Sequence, residues 1–350
     1  VYGVDRNPIA VELAEISLWL NTIYEGHTIP WFGGQLCVGN SLIGARREYF
    51  RSKQLTEKGR RWLEAVPDKV KEGQTRPADG VYHFLVPDEG MCRYNDKAVR
   101  AMCASEIETI GKWGKSFRKQ FDENEAATLV RLSEACDRLF ERHAKTLRLV
   151  RDKTEHRFPI LGHEDWPERG RDLSTRARQR IFDDAIRPTN GPSSDYQRLK
   201  LGLDYWCALW FWPIDQVHLL PSLDEYLLDV GSVIEGTLRA SQTIKPTQGQ
   251  LFGAEQPSLT IADEFGFVDL GTMDSARWRI VRTVAESHRF FHWELEFADV
   301  FSDRGGFDLI LGNPPWIKIE WNEGAVMGDV TPRFVIRDFK APELAKLRLE

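Results

Sequence analysis

The stretch that decides the reading of this chain is Gly306-Phe307-Asp308-Leu309-Ile310-Leu311-Gly312-Asn313-Pro314-Pro315-Trp316. Phe307, Leu309, Ile310 and Leu311 form the near-continuous apolar run expected of a strand covered on both faces, and Gly312 marks its end. A rigid polar loop follows. Two consecutive prolines fix the turn and remove two N–H donors, which leaves the loop's carbonyls free to accept. Asn313 adds a side-chain amide and Trp316 a flat aromatic face. Acceptors beside an aromatic plate suit a planar, amine-bearing ligand, whose two N–H groups are held while its ring is stacked. A plain Pro-Pro turn after a strand is the competing reading of the same residues.

Working outward, Val1 to Val4 reads as a short strand that ends in Asp5, and Asn7-Pro8 supplies an N-cap followed by proline at the first helical position. Ile9, Leu13, Ile16 and Leu20 then recur at helical spacing, with Val11, Leu18 and Trp19 widening the face, so a helix packed on a sheet is expected. An acid at the end of such a strand is placed to accept hydrogen bonds from the ribose hydroxyls of an adenosine cofactor, or else to help cap the helix. Gln35 to Val38 reads as the next strand, and Asn40 at its end is either a reader of the cofactor's adenine edge or a turn residue. The nearby glycines make no G-x-G-x-x-G fingerprint.

From Ala45 to Asp274 the alternating pattern stops, far beyond the length of an ordinary connection. The stretch reads as a mainly helical insertion. Arg51 to Gly80 is expected to be a surface excursion. Val99 to Phe121 and Leu129 to Val150 carry helical stripes that suggest an antiparallel hairpin, and Leu201 to Pro213 suggests a buried aromatic helix. His143 lies on a stripe with no second ligand at helical spacing, so it reads as a packed histidine. The run containing Arg169, Arg171, Arg176, Arg178 and Arg180 reads as a solvated helix face, with phosphate contact as the rival reading. Ser241 to Ser258 reads as a loop. Ala276 to His288 reads as a helix, followed by the aromatic stretch Phe290 to Phe301, in which His292 is expected to be buried and satisfied.

Composition sets the bounds. The 350 residues, 42% apolar and 29% charged, suit a globular chain with a large core, and 12 Trp and 19 Phe supply abundant flat surfaces. A net charge of −6 confines any nucleic-acid surface to a local cleft. Five dispersed cysteines without a Cys-x-x-Cys pair speak against a zinc site or a disulfide framework and fit a reducing cytoplasm. No run of about 18 apolar residues points to a membrane. No metal-ligating or H-E-x-x-H pattern stands out.

Taken together, Tyr2 to Pro8, Gly39 to Leu42, His292 to Phe297 and Gly306 to Trp316 resemble, in order, the DNA adenine-N6 methyltransferases of large restriction-modification and phage-defence systems. The resemblance implies an α/β fold, a partial Rossmann-like S-adenosylmethionine-dependent methyltransferase sheet interrupted by a large, mainly helical insertion. Its expected divisions are 1–44 for the first part of the α/β domain, 45–274 for the insertion and 275–350 for the return. It implies that Asn313, Pro314, Pro315 and Trp316 form the catalytic loop, and that Asp5 and Asn40 bind S-adenosyl-L-methionine. The implied partner is double-stranded DNA carrying a flipped adenine, with restriction or defence subunits as possible companions. By the same resemblance a Gly-rich cofactor loop is expected before Val1 and a target-recognition region after Glu350. Other readings are a methyltransferase acting on RNA or protein glutamine, a silent scaffold subunit, and, last, a nicotinamide oxidoreductase.

Overall fold

The computed structural model describes residues 1–23, 30–70, 74–155, 173–189, 193–236 and 275–313. The chain parts into two compact units, Val1–Phe307 and Asp308–Glu350. The second is described from 308 to 313. Ser241 to Ser258, Arg169, Arg171, Pro314, Pro315 and Trp316 lie outside the described residues.

The first unit combines small sheets with many helices and is α/β. Strand β1 (Gly3–Asp5) pairs in parallel with β2 (Leu36–Val38), with Val4 opposite Cys37 and Asp5 opposite Val38. Helix α1 (Pro8–Thr22) joins them, started by Asn7, whose Oδ1 accepts from the Ile9 amide at 3.0 Å. Strands β3 (Glu48–Arg51), β4 (Asp68–Lys69) and β5 (Gly80–Tyr82) form a second, antiparallel sheet in the order β4-β3-β5, with the short helix α2 (Ser52–Thr56) between β3 and β4.

Helices α3 (Lys97–Met102) and α4 (Ala104–Phe117) lead to α5 (Glu123–Thr154), the longest element. A reciprocal capping box between Asp122 and Glu125 starts α5. Leu129, Leu132, Cys136, Leu139, His143, Leu147 and Val150 then bury one continuous face. Against this face pack α6 (Thr175–Ile186), α7 (Asp195–Ala208), α8 (Leu223–Ile234) and strand β5, while α9 (Ala276–His288) packs on α7. Helix α7 is buried on nearly all sides, as its aromatic composition demands. The chain then makes α10 (Trp293–Glu296) and α11 (Ala298–Arg304), and α11 lies along α5.

Four expectations need correction or refinement. Helix α4 packs on the 3-10 turn at Ile214–Leu219, and α5 packs on α11, α7, α6, β5, α2 and α8, so the two long helices are not a simple hairpin. Arg51 to Gly80 is a surface stretch as expected, with most of its described residues exposed, but it is anchored rather than loose: Leu55 and Trp62 are buried and the buried Arg76 is neutralised by Asp137, with Nε to Oδ2 at 2.9 Å. In α1 the face turned inward is Val11, Glu15, Leu18 and Trp19, whereas Ile9, Leu13, Ile16 and Leu20 are each about half exposed or more. Both sides of that helix are apolar, so periodicity alone chose the wrong one. Residues 307–311 form no strand. Leu309, Ile310 and Leu311 are 74%, 68% and 86% exposed.

Leu139 is fully buried on α5 and Leu228 is 73% exposed on α8. In chemical denaturation Leu139→Ala should lose about 2–5 kcal/mol, whereas Leu228→Ala should stay within about 0.5 kcal/mol of the parent. Equal effects would contradict the placement of α5 at the centre of the core.

Candidate functional site

Two of the polar residues singled out by the sequence stand at neighbouring strand ends. The Asp5 carbonyl accepts from the Gly39 amide at 2.9 Å, which extends the β1–β2 ladder to the residue before Asn40. Each side chain shapes its own turn: Asp5 Oδ1 accepts from the Asn7 amide at 2.7 Å, and Asn40 Oδ1 accepts from the Leu42 amide at 3.1 Å. Those bonds leave the second Asp5 oxygen and the Asn40 amide nitrogen with no protein partner among the described residues. The turn reading of Asn40 therefore holds, Asp5 braces the residue that caps α1 while Asn7 itself makes the cap, and each group still has a polar atom for a ligand. Carboxyl ends of parallel strands are where ligands of α/β sheets bind.

A third segment closes this end of the sheet. The Asn40 amide donates to the Arg289 carbonyl at 2.7 Å, and the Phe291 amide donates to the Ile43 carbonyl at 2.8 Å. Approach here is close enough that a Cβ on Gly44 would lie 2.0 Å from the Phe291 carbonyl oxygen, so only glycine fits. Arg289, in the left-handed region at φ 54°, also donates its guanidinium to the Arg6 carbonyl. It thus ties the Asn40 turn to the residue after Asp5. No periodicity marked Arg289. Its only sequence signal is a position just past the end of a helix.

The stretch that follows is clasped to the helical body. His292 is 1% exposed; its Nδ1 accepts from the Ala45 amide at 3.0 Å and its Nε2 donates to Asp204 Oδ1 at 2.9 Å. Because Nδ1 is an acceptor, the ring carries its proton on Nε2. Lys200 Nζ lies 3.0 Å from both Asp204 oxygens. Burial works against the Asp204 charge, but Lys200 and His292 outweigh it and hold the carboxyl below its ordinary range.

Further contacts repeat the pattern. Tyr196 donates its hydroxyl to Glu296 at 2.8 Å, the buried His143 bonds the Leu295 carbonyl at 3.0 Å, and Trp293 donates to the Ser41 carbonyl at 3.0 Å. Asp299 pairs with Arg151, and Asp303 with Arg148. His143 and His292 are thus the packed histidines expected. Arg178 is buried and donates to the Thr154 carbonyl at 2.9 Å, whereas Arg176 and Arg180 are exposed.

Around this clasp Phe291, Phe297 and Val300 form a small apolar cluster with Tyr2, Val4, Cys37 and Phe307. The Phe297 ring meets Tyr2 edge-on at 5.2 Å and Phe307 at 5.4 Å. Gly305 and Gly306, at φ 71° and 143°, then turn the chain out of α11, which a side chain at either position would resist. In the second unit Asn313 is exposed, and Asp308 and Asn313 each have an interaction partner.

Residues 250–331 match the family model of the Eco57I restriction-modification methylases. The match covers 82 of 350 residues and contains α9, α10, α11 and Asn313. No curated protein and no solved structure matches the chain. The similarity to restriction-modification methylases thus falls on the stretch holding the clasp and the Asn-Pro-Pro-Trp loop, and it supports a methyltransferase acting on DNA. All five cysteines are free, and burial pushes the Cys37 and Cys92 thiols up to about 12. Among the described residues no three His, Cys, Asp or Glu side chains converge as a metal site, and no helix is long and apolar enough to cross a membrane.

The Asp204 contact gives a pH test. A carboxyl depressed in the folded state adds stability that is fully present above its unfolded value of 3.8 and is lost as pH falls through the folded value. The stability gap between the parent and Asp204→Asn, measured by urea denaturation, should therefore hold above about pH 5 and shrink steadily below pH 4. A gap that widened on acidification would contradict the assignment.

Proposed function

We propose that the chain is part of a DNA methyltransferase that transfers a methyl group from S-adenosyl-L-methionine to adenine N6 within a restriction-modification or phage-defence system. The observation that carries the proposal is the Asn313-Pro314-Pro315-Trp316 loop lying inside the stretch similar to restriction-modification methylases. In this reading 1–44 and 275–350 belong to one Rossmann-like catalytic domain, and 45–274 is its helical insertion. The substrate is double-stranded DNA, and the protein works in the cytoplasm, with restriction or defence subunits as partners.

The residues present fit the cofactor at one end. Asp5 has a free carboxylate oxygen to accept from ribose hydroxyls, and Asn40 has a free amide to meet an adenine edge. When bound, S-adenosylmethionine supplies the electrophilic methyl group. The protein's own work is to prepare the nucleophile. The Asn313 side-chain oxygen and the Pro314 carbonyl each accept one hydrogen of the exocyclic amine, which draws the nitrogen's lone pair out of conjugation with the ring. Pro314 and Pro315 keep that loop rigid, so little reorganisation is needed at the moment of transfer. Trp316 stacks on the extruded base and offsets part of the few kcal/mol that leaving the duplex costs.

These roles separate in measurement. With double-stranded DNA and S-adenosylmethionine, Asn313→Ala should lower the methyl-transfer rate roughly a hundredfold, about 3 kcal/mol, and leave cofactor affinity nearly unchanged. Asp5→Ala should instead weaken cofactor binding in calorimetry. Equal loss of cofactor affinity in both variants would refute this division of labour.

A further inference from the structure

Arg289 stands where a helix commonly ends on glycine. It closes α9 in the left-handed region, at φ 54° and ψ 53°, a conformation that glycine adopts freely and a long side chain resists. The turn is complete without the side chain. The Arg289 amide donates to the Glu286 carbonyl at 3.3 Å, the Phe290 amide donates to the Ala285 carbonyl at 3.2 Å, and the buried Phe290 ring anchors the exit. Ending the helix therefore gives no reason for an arginine, and the reason lies in what the guanidinium reaches.

The guanidinium donates to the carbonyl of Arg6. A carbonyl and the amide that follows it share one rigid plane, so the unit carrying the Arg6 oxygen also carries the Asn7 N–H. That N–H donates to Asp5 Oδ1 at 2.7 Å. One peptide plane is thus pinned at both ends, by a cation on its oxygen and a carboxylate on its N–H. The cation polarises the plane, which strengthens the N–H as a donor, and it also fixes the plane's rotation. Arg289 in this way orients a carboxylate with which it makes no ion pair among the described residues.

The main chain of Arg289 takes the other strand end. Its carbonyl accepts from the Asn40 amide at 2.7 Å, and Phe290 forms a parallel bridge with Asn40. The β1–β2 ladder stops at the bond from Gly39 to Asp5, and Arg289 holds the next residue on each side, Arg6 and Asn40. We propose that Arg289 is a positioning residue for the adenosine half of S-adenosylmethionine, keeping the Asp5 carboxylate and the Asn40 amide at a fixed separation. This rests on the reading of Asp5 and Asn40 as the cofactor-binding groups. The role needs one donor aimed at one carbonyl, which a lysine can supply and a glycine cannot.

Three forms of the complete protein separate the parts: the parent, Arg289→Gly and Arg289→Lys, each titrated with S-adenosylmethionine by calorimetry and unfolded in urea. Arg289→Gly suits the left-handed backbone and removes only the guanidinium, so affinity should fall about tenfold while the urea midpoint holds or rises. Arg289→Lys should restore affinity to within about threefold of the parent. Parental affinity in Arg289→Gly would overturn the proposal, as would equal losses in the two variants or a loss in Arg289→Gly matched by a fall in its urea midpoint. Each of those results leaves the reading of Asp5 and Asn40 standing. A folded parent that binds no S-adenosylmethionine would overturn that reading and the role of Arg289 with it.

Discussion

The packing of the stretch after α9 against the helical body depends on one buried ring. His292 accepts a hydrogen bond from the backbone of Ala45 and gives one to Asp204, so a single imidazole joins the end of the β2 turn, helix α7 and the start of α10. These residues are 247 and 88 positions away from it in sequence. Neither partner can shift without leaving a buried polar group unmade, at about 1–3 kcal/mol each. The bond to Asp204 is a charge-assisted hydrogen bond from a neutral ring, and the counter-ion of that carboxylate is Lys200.

The surrounding contacts show why such a clasp is polar. Apolar packing alone is non-directional and would let α10 and α11 slide along α5. Tyr196 on Glu296, His143 on the Leu295 carbonyl and Arg151 on Asp299 fix both the register and the rotation of this short stretch. Gly44 and the pair Gly305-Gly306 do the same for the backbone, at a close approach and at a sharp exit. Residues 289–303, within the segment similar to restriction-modification methylases, are therefore held from two sides, by residues of α5 and α7 and by residues 2–45.

Local signals were well written in the sequence. The Asn7-Pro8 start of α1, the bounds of α9, the packed histidines and the burial of α7 were legible, because caps, proline positions and helical stripes act over a few residues, whereas α7 runs from Asp195 to Ala208 and not from Leu201 to Pro213. What could not be read was decided by distant partners. The inward side of α1 was misjudged because both of its faces are apolar, and the anchoring of Arg51 to Gly80 was missed because the Asp137 that neutralises the buried Arg76 lies 61 residues away. The apolar run at 309–311 suggested a buried strand, yet pairing needs a neighbour that no run of residues can announce. At the candidate site, Asp5 and Asn40 were legible as strand-end groups, whereas Arg289, which links their turns, was not.

The chemistry proposed for the chain reduces to whether it places a methyl group on adenine. Expression of the complete reading frame in a host without adenine methylases, followed by digestion of its DNA to nucleosides and mass spectrometry, asks that directly. The account predicts N6-methyldeoxyadenosine in that DNA. Its absence, with the protein folded and able to bind S-adenosylmethionine, would contradict the account.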